Sequence, residues 1–261
     1  MNRRALVYRL GLLLFVSALG YTLANVELLD AGKLQRGTHN TLLFARGLLP
    51  PDWSVLPTVT AALGETVQIA FAGTALGFLL ALPTALAASP MVAGRKAAAA
   101  TRLLLALIRT VPALLWAIVF VVAIGLGPAA GTLGVAMYTL GYLGKLYAEA
   151  FEGVDPEVVE AVRGTGIGRL QLARYAIIPE AVNSIVSQLL FMFEYNVRAS
   201  SILGFVGAGG IGYYLMGYLQ TLRYDSLTTA LLVTLTVVVA IDRASAALRA
   251  RLLLSPTGPG Q

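Results

Sequence analysis

Residues 160–179 read EAVRGTGIGRLQLARYAIIP, and this polar insert between two long apolar runs decides the fold. It holds charges, three glycines two residues apart (Gly164, Gly166 and Gly168) and a terminal proline, Pro179. It is the centre of a wider polar stretch, 145–179, that begins at Lys145. Asp155 followed by Pro156 predicts an N-cap with proline at the first helical position. Glu157 and Glu160 favour the positive end of that helix, and Val158, Val159, Ala161 and Val162 give it an apolar face. The glycines break the helix. A second short helix is expected from near Arg169, with Leu170, Leu172 and Tyr175 as anchors, ending before Pro179. A helix, tight turn and helix of this kind either docks on a partner outside the membrane or lies on the lipid headgroups.

Composition explains what surrounds the insert. The chain is 57% hydrophobic and 12% charged, with mean hydropathy +0.78. A soluble domain is nearer half apolar and a quarter charged, so this is an integral membrane protein. The formal net charge of +6 reflects Lys and Arg collecting in cytoplasmic loops. Nucleic-acid binding is not indicated, because no basic stripe is interleaved with aromatics. The absence of cysteine excludes disulfides and thiolate metal sites. His39 stands alone in a polar segment and reads as a solvated loop residue. No HExxH pattern or metal cluster supports an intramembrane enzyme, and no GxxxxGK[ST] loop is present to bind ATP.

Read in order, the chain predicts six spans, because each run approaches the roughly 20 apolar residues that a bilayer requires. The first covers residues 5–24, interrupted by Arg9, and reads as an uncleaved helix because Thr22-Leu23-Ala24 is a poor cleavage site. A polar external segment follows, with a short interfacial helix over 41–49 stopped by Pro50 and Pro51. The other spans are expected over 66–88, 102–124, 129–147, 180–203 and 226–248. A basic loop, 89–101, follows the second span. A glycine-rich external segment, 204–225, precedes the last. The parts are therefore an N-terminal helix with its external segment (1–57), a transmembrane core (58–250) and a disordered tail (251–261). Thirteen basic residues, from Arg3 to Arg251, fall on the side of the termini against four outside (Lys33, Arg36, Arg46 and Arg223). Arg109 and Arg198 lie within spans and complete the 19. The termini and the insert are thus expected in the cytoplasm.

The insert also resembles the EAA motif of ABC importer permeases, in which EAA, three residues, G and nine residues precede I-x-L-P. Glu160, Ala161 and Val162 fill the triplet, Gly166 the glycine, and Ile178-Pro179 the final pair. Val162, Ala176 and Ile178 depart from the pattern by small or apolar exchanges. Residues 109–131 (RTVPALLWAIVFVVAIGLGPAAG), 143–156 (LGKLYAEAFEGVDP) and 193–212 (FEYNVRASSILGFVGAGGIG) resemble the phosphonate-type permeases of that group. The likeness covers about residues 48–250 and implies the all-α, six-helix fold of type I ABC importer permeases. It also implies a cytoplasmic coupling helix that docks on an ATPase, with Glu160, Ala161, Arg163, Gly166, Arg169 and Pro179 as docking residues. The implied partners are a second permease chain (a copy or a paralogue), two cytoplasmic ATPases and an external solute-binding protein, in the inner membrane. The chain binds no cofactor itself; ATP and Mg belong to the ATPases. The implied solute is a phosphonate or a related phosphorus oxyanion, with another small solute on the same fold as the alternative.

Several residues inside the spans are pathway candidates. Glu194 and Arg198 are four apart, share a helix face and can pair. They read as a structural ion pair or as a pathway element in which Arg198 faces an anion, with Asn196 at the same level on another face. Arg109 lies seven residues past Arg102, about 10 Å along the helix. It either snorkels to the surface or lines the inner vestibule, and Pro112 kinks the helix one turn later. Gly207, Gly209 and Gly210, in GAGGIG, follow a membrane helix rather than a strand, so they are no dinucleotide fingerprint. They permit either an oxyanion-holding turn or close helix packing.

Overall fold

The computed structural model describes residues 3–28 and 30–253. Regular structure among them is entirely helical. From position 254 onward, the tail expected to be disordered lies outside the described residues. The chain divides into two compact units, Met1–Pro51 and Asp52–Gln261.

In the first unit, α1 (Arg3–Asn25) has a 19-residue apolar window from Val7. Leu14, Phe15 and Tyr21 are exposed, as suits a helix facing lipid. Helix α2 (Ala31–Gly47) starts well before the short helix expected over 41–49. The reason is a cap: the Asp30 carboxylate accepts the Lys33 N–H at 2.9 Å, satisfying a free donor of the first turn.

The second unit opens with a 3₁₀ turn, Trp53–Val55, and α3 (Leu56–Ala88). With 33 residues, α3 is about 50 Å long and begins ahead of the expected span because Pro57 suits a first turn. The basic segment expected as a loop instead holds α4 (Pro90–Ala93) and the start of α5 (Arg95–Thr110). The single span expected over 102–124 is broken: α5 and α6 (Ala113–Ile124) are bent by 86°. Pro112 has no N–H and holds the preceding Val111 extended, at φ −87° and ψ 116°, so the helix cannot continue. The Trp116 indole N–H spans the bend and donates to the Ile108 carbonyl at 3.2 Å.

Helix α7 (Pro128–Glu152) follows, then α8 (Pro156–Arg163) and α9 (Arg169–Leu172). The expected stop before Pro179 is absent. The chain winds through a π turn, Ala173–Ile177, directly into α10 (Ile178–Leu203). Proline cannot donate to the carbonyl four residues back, and its ring crowds that group. The wider turn, closed by the Ile178 N–H on the Ala173 carbonyl, takes up the misfit without ending the helix. A 3₁₀ turn, Gly204–Val206, the glycine run and α11 (Ile211–Gln220) occupy the expected external loop, and α12 (Tyr224–Leu253) closes the unit.

Among the described residues, four helices are long and apolar enough to cross a membrane, or five if the bent α5–α6 pair is one span. Six were expected, and α7 is the one that falls short. It packs against α3, α5, α6 and α10, and its buried positions include Gly131, Gly134, Thr139, Gly141 and Gly144. Hydropathy reports contact with lipid. A helix covered by protein on most of its faces has less need of it, and small residues let its neighbours approach. A Cβ on Gly73 of α3 would lie 2.6 Å from the Val135 Cβ, and one on Gly77 would lie 2.5 Å from the Thr139 Cβ. Gly77→Val is therefore expected to cost about 1–3 kcal/mol through overpacking, read as a lower unfolding midpoint in detergent. Gly64→Val on the same helix, where nothing lies within 4 Å of an added Cβ, should leave that midpoint unchanged.

Candidate functional site

The polar insert folds as its capping residues dictate. The Asp155 carboxylate accepts the Glu157 N–H at 2.8 Å, and α8 ends at Gly164. Gly166 turns the chain at φ +80°, a left-handed backbone that disfavours any side chain. The Gly168 N–H donates to the Gln171 side chain at 3.0 Å, starting α9. Glu160, Ala161, Arg163 and Arg169 are exposed, as is Pro179 in the first turn of α10. Of the three expected anchors, Leu170 and Tyr175 face outward, but Leu172 does not. Leu172 packs with Val159, Phe151 and Ile177 in the cluster shared with α3 and α7. One side of the hairpin is thus keyed into the helix bundle and the other is exposed.

The charges inside the helices pair differently from the expected Glu194–Arg198 contact. Arg198 donates to both oxygens of Asp242, at 2.8 and 3.1 Å. Glu194, only 7% exposed, accepts from Arg249 at 2.6 Å. Both partners lie on α12, so two ion pairs stitch α10 to α12. A four-residue spacing allows a pair on one helix, but a facing helix that supplies opposite charges at both levels satisfies each without bending either side chain along its own axis. The sequence showed Asp242 and Arg249 only as isolated charges. Asn196 is fully buried and donates to the Thr74 and Thr139 hydroxyls, both at 2.8 Å. It pins α3, α7 and α10 together and presents no surface to a pathway.

The glycine run is a packing device. The Gly210 N–H donates to the Glu65 carboxylate at 3.1 Å, and the Ile211 N–H to the Thr66 hydroxyl at 2.8 Å. The N–H groups of Gly207 and Ala208 donate to the Gly204 and Leu203 carbonyls. These four donors are spent within the fold, and a carboxylate stands among them, which favours close packing over the oxyanion-holding turn. Gly207, Gly209 and Gly210 all have positive φ, and a Cβ on Gly209 would lie 2.6 Å from a Glu65 oxygen.

Two further groups carry no motif and emerge only from the packing. Asp52 accepts from the Ser54 hydroxyl and N–H, from Arg223 at 3.2 Å and from the Ser226 hydroxyl at 3.1 Å. It thereby ties the start of α3 to the start of α12. The Ser54 hydrogen bonds lead in holding its carboxyl below the ordinary aspartate range, with Ser226 and the Arg223 charge adding to them. On α7 and α10, Tyr138 stacks with Tyr142 at 6.1 Å and with Tyr195 at 5.7 Å between ring centroids. Arg109, half-buried in the last turn of α5, has its backbone nitrogen 2.9 Å from where a Cβ on Gly141 would stand, between Tyr138 and Tyr142 in the sequence of α7.

With these parts in view, the likeness to known proteins is decisive. Residues 73–253 match the family described as binding-protein-dependent transport system inner membrane component. The chain belongs to this family. It is thus a multi-pass membrane permease subunit of a transport system, not an enzyme. The phosphite transport system permease protein PtxC of Stutzerimonas stutzeri is 36% identical over 230 residues, 86% of this chain and 82% of that one. The phosphate-import permease protein PhnE of Mycolicibacterium smegmatis is 38% identical over 213 residues, which are 81% of this chain but 40% of that one. The MetNI methionine ABC transporter, solved in inward-facing conformations, has a chain that superposes with a TM-score of 0.66 at 21% identity. The match covers 77% of this chain and 98% of that one, and it shows that the fold is that of an ABC transporter permease.

The ion-pair assignment predicts a specific coupling. Arg249→Gln leaves the buried Glu194 unpaired and should cost about 3–5 kcal/mol. Adding Glu194→Gln should restore most of the thermal midpoint, whereas Glu194→Gln with Arg198→Gln should not. The Asp52 network predicts a pH dependence. Its folded pKa is lowered, so its stabilisation is present above the unfolded value and lost as pH falls through the folded one. The loss of thermal midpoint in Asp52→Asn should therefore be full at neutral pH and shrink below about pH 4.

Proposed function

We propose that this chain is the permease subunit of an ATP-driven importer for a phosphorus oxyanion: phosphite, phosphate or a phosphonate. The observation that carries this reading is the identity of 36% and 38%, over more than four-fifths of the chain, to permeases named for phosphite and phosphate transport. An external binding protein delivers the solute. Two permease chains, copies or paralogues, form the route, and two cytoplasmic ATPases drive alternating access. ATP and Mg stay on those ATPases.

The hairpin of α8 and α9 is the ATPase-docking lever. It is fixed inside by Val159 and Leu172, so a push on its outer face, from Glu160 to Arg169, is transmitted to α7 and α10 rather than absorbed. Pro179 belongs to this transmission: the π turn before it makes α9 and α10 one continuous helix. The excess of Lys and Arg beside the termini supports a cytoplasmic position for them and for the hairpin. Six spans then follow if α7 crosses inside the bundle.

The test is uptake of labelled phosphate, phosphite and methylphosphonate by cells expressing the permease with its ATPase and binding protein. Uptake of none of the three would overturn the solute assignment. For the docking lever, Gly166→Val is the probe. Open space surrounds an added Cβ there, so the strain falls on the turn alone. Binding-protein-stimulated ATP hydrolysis should drop about tenfold or more, as expected for roughly 1–3 kcal/mol of backbone strain at the docking contact, with membrane levels unchanged. Wild-type stimulation in this variant would refute docking through α8 and α9.

A further inference from the structure

One face of α7 differs from the rest of that helix. Tyr138, Tyr142, Lys145, Glu149 and Glu152 follow one another at spacings of four and three, so they form a single stripe along the helix. Each is half-buried or exposed, while most other positions from Ala130 to Phe151 are buried. Polar groups on an otherwise apolar helix are costly in a bilayer and mark water-accessible surface. At its lower end the stripe is charge-balanced, with Arg102 paired to Glu152 and Lys145 to Glu149. At its upper end stand the tyrosines, with Tyr195 of α10 stacked on Tyr138.

Arg109 lies between these two ends. The α5 backbone at this residue abuts α7 at Gly141, where an added Cβ would come within 2.9 Å of the Arg109 nitrogen. Below it, Arg109 lines a cavity of about 260 Å³ with Arg102, Lys145 and Glu149, the last paired to Lys145. Above it stands Tyr138, three residues and so about one turn from Gly141 along α7. The other arginines of the second unit divide into two groups. Arg102, Arg198, Arg223 and Arg249 each hold a carboxylate. Arg95, Arg163, Arg169, Arg174, Arg243 and Arg251 are exposed. Among the described residues of that unit, Arg109 is the half-buried arginine with no carboxylate in ion-pair range. A guanidinium on a residue packed within about one turn of these tyrosines offers charged donors, and the tyrosines neutral ones, to a tetrahedral oxyanion. Arg198, already neutralised by Asp242, does not.

We propose that Arg109, flanked by Tyr138 and Tyr195, is the anion-selecting step of the transport route, which descends along the polar face of α7 towards Lys145 and Arg102. This rests on the oxyanion reading above and moves the selecting charge from Arg198 to Arg109. The bend at Pro112 gives the arrangement its reason: ending α5 there stops the helix with Arg109 in its last turn, level with the tyrosines.

The experiment uses the complete transporter, permease with its ATPase and binding protein, in proteoliposomes. Uptake of phosphate, phosphite and methylphosphonate is measured beside binding-protein-stimulated ATP hydrolysis. Arg109→Gln should lower uptake about tenfold or more, as expected for losing a charge-assisted hydrogen bond, while ATP hydrolysis persists. Arg109→Lys should recover part of the uptake, and Tyr138→Phe should lower it less than Arg109→Gln. A merely structural role would reduce uptake and hydrolysis together and would not be rescued by lysine. Each variant is assayed in phosphatidylcholine vesicles with and without phosphatidylglycerol. If the wild type needs the anionic lipid and Arg109→Gln removes that need, the cavity holds a lipid headgroup and the proposal is overturned. Wild-type uptake in Arg109→Gln also overturns it and leaves the oxyanion function standing. Failure of the wild type to move any of the three anions removes both.

Discussion

The second unit depends on how closely α3 and α7 can approach. Gly73 and Gly77 bring the α3 backbone against Val135 and Thr139, within 2.6 Å of where a Cβ would have been. In a bilayer the hydrophobic effect does not drive helices together, so packing and interhelical hydrogen bonds must do so. Asn196 adds the second element. Its amide donates to hydroxyls on both helices from a site without solvent. Close approach brings those hydroxyls within reach of one amide, and the amide in turn rewards the approach.

Around that pair, the other features follow as consequences. The glycine run of residues 207–210 caps the α3–α7 pair at one end, where the N–H groups of Gly210 and Ile211 donate to Glu65 and Thr66. The hairpin of α8 and α9 is keyed into the other end through Val159 and Leu172. Helix α12 is attached more loosely in packing terms but is held by two ion pairs to α10 and by the Asp52 network near its start. A hairpin fixed to the central pair, beside an outer helix fastened by charges, suits the alternating access proposed for this chain.

The sequence was most legible where local chemistry acts over a few residues. Asp155, Pro156 and the three glycines predicted the hairpin, and Asp155 does cap α8. Pro112 predicted a kink, and the helix breaks there. Reading failed where a local signal met a tertiary alternative. Pro179 was expected to end a helix, but a π turn absorbs it. Glu194 and Arg198 were expected to pair with each other, but α12 provides a partner for each. Leu172 was expected to face a partner and is buried. The stripe on α7 was missed because tyrosines and charges at helical spacing cannot be told from an ordinary solvated face until the burial of the remaining positions is known.

The sequence by itself determined that the chain is helical, lies in a membrane and carries a capped polar hairpin between apolar runs. Those properties follow from composition, proline and glycine geometry and the charge of single residues, each of which acts within about one helical turn. Only the tertiary structure decided which charges neutralise one another, that α7 is interior despite its modest hydropathy, and that Arg109 is left without a carboxylate. These depend on which helix faces which. That choice is made by the contact of small residues far apart in the chain, Gly77 with Thr139 among them, and no short-range pattern encodes it.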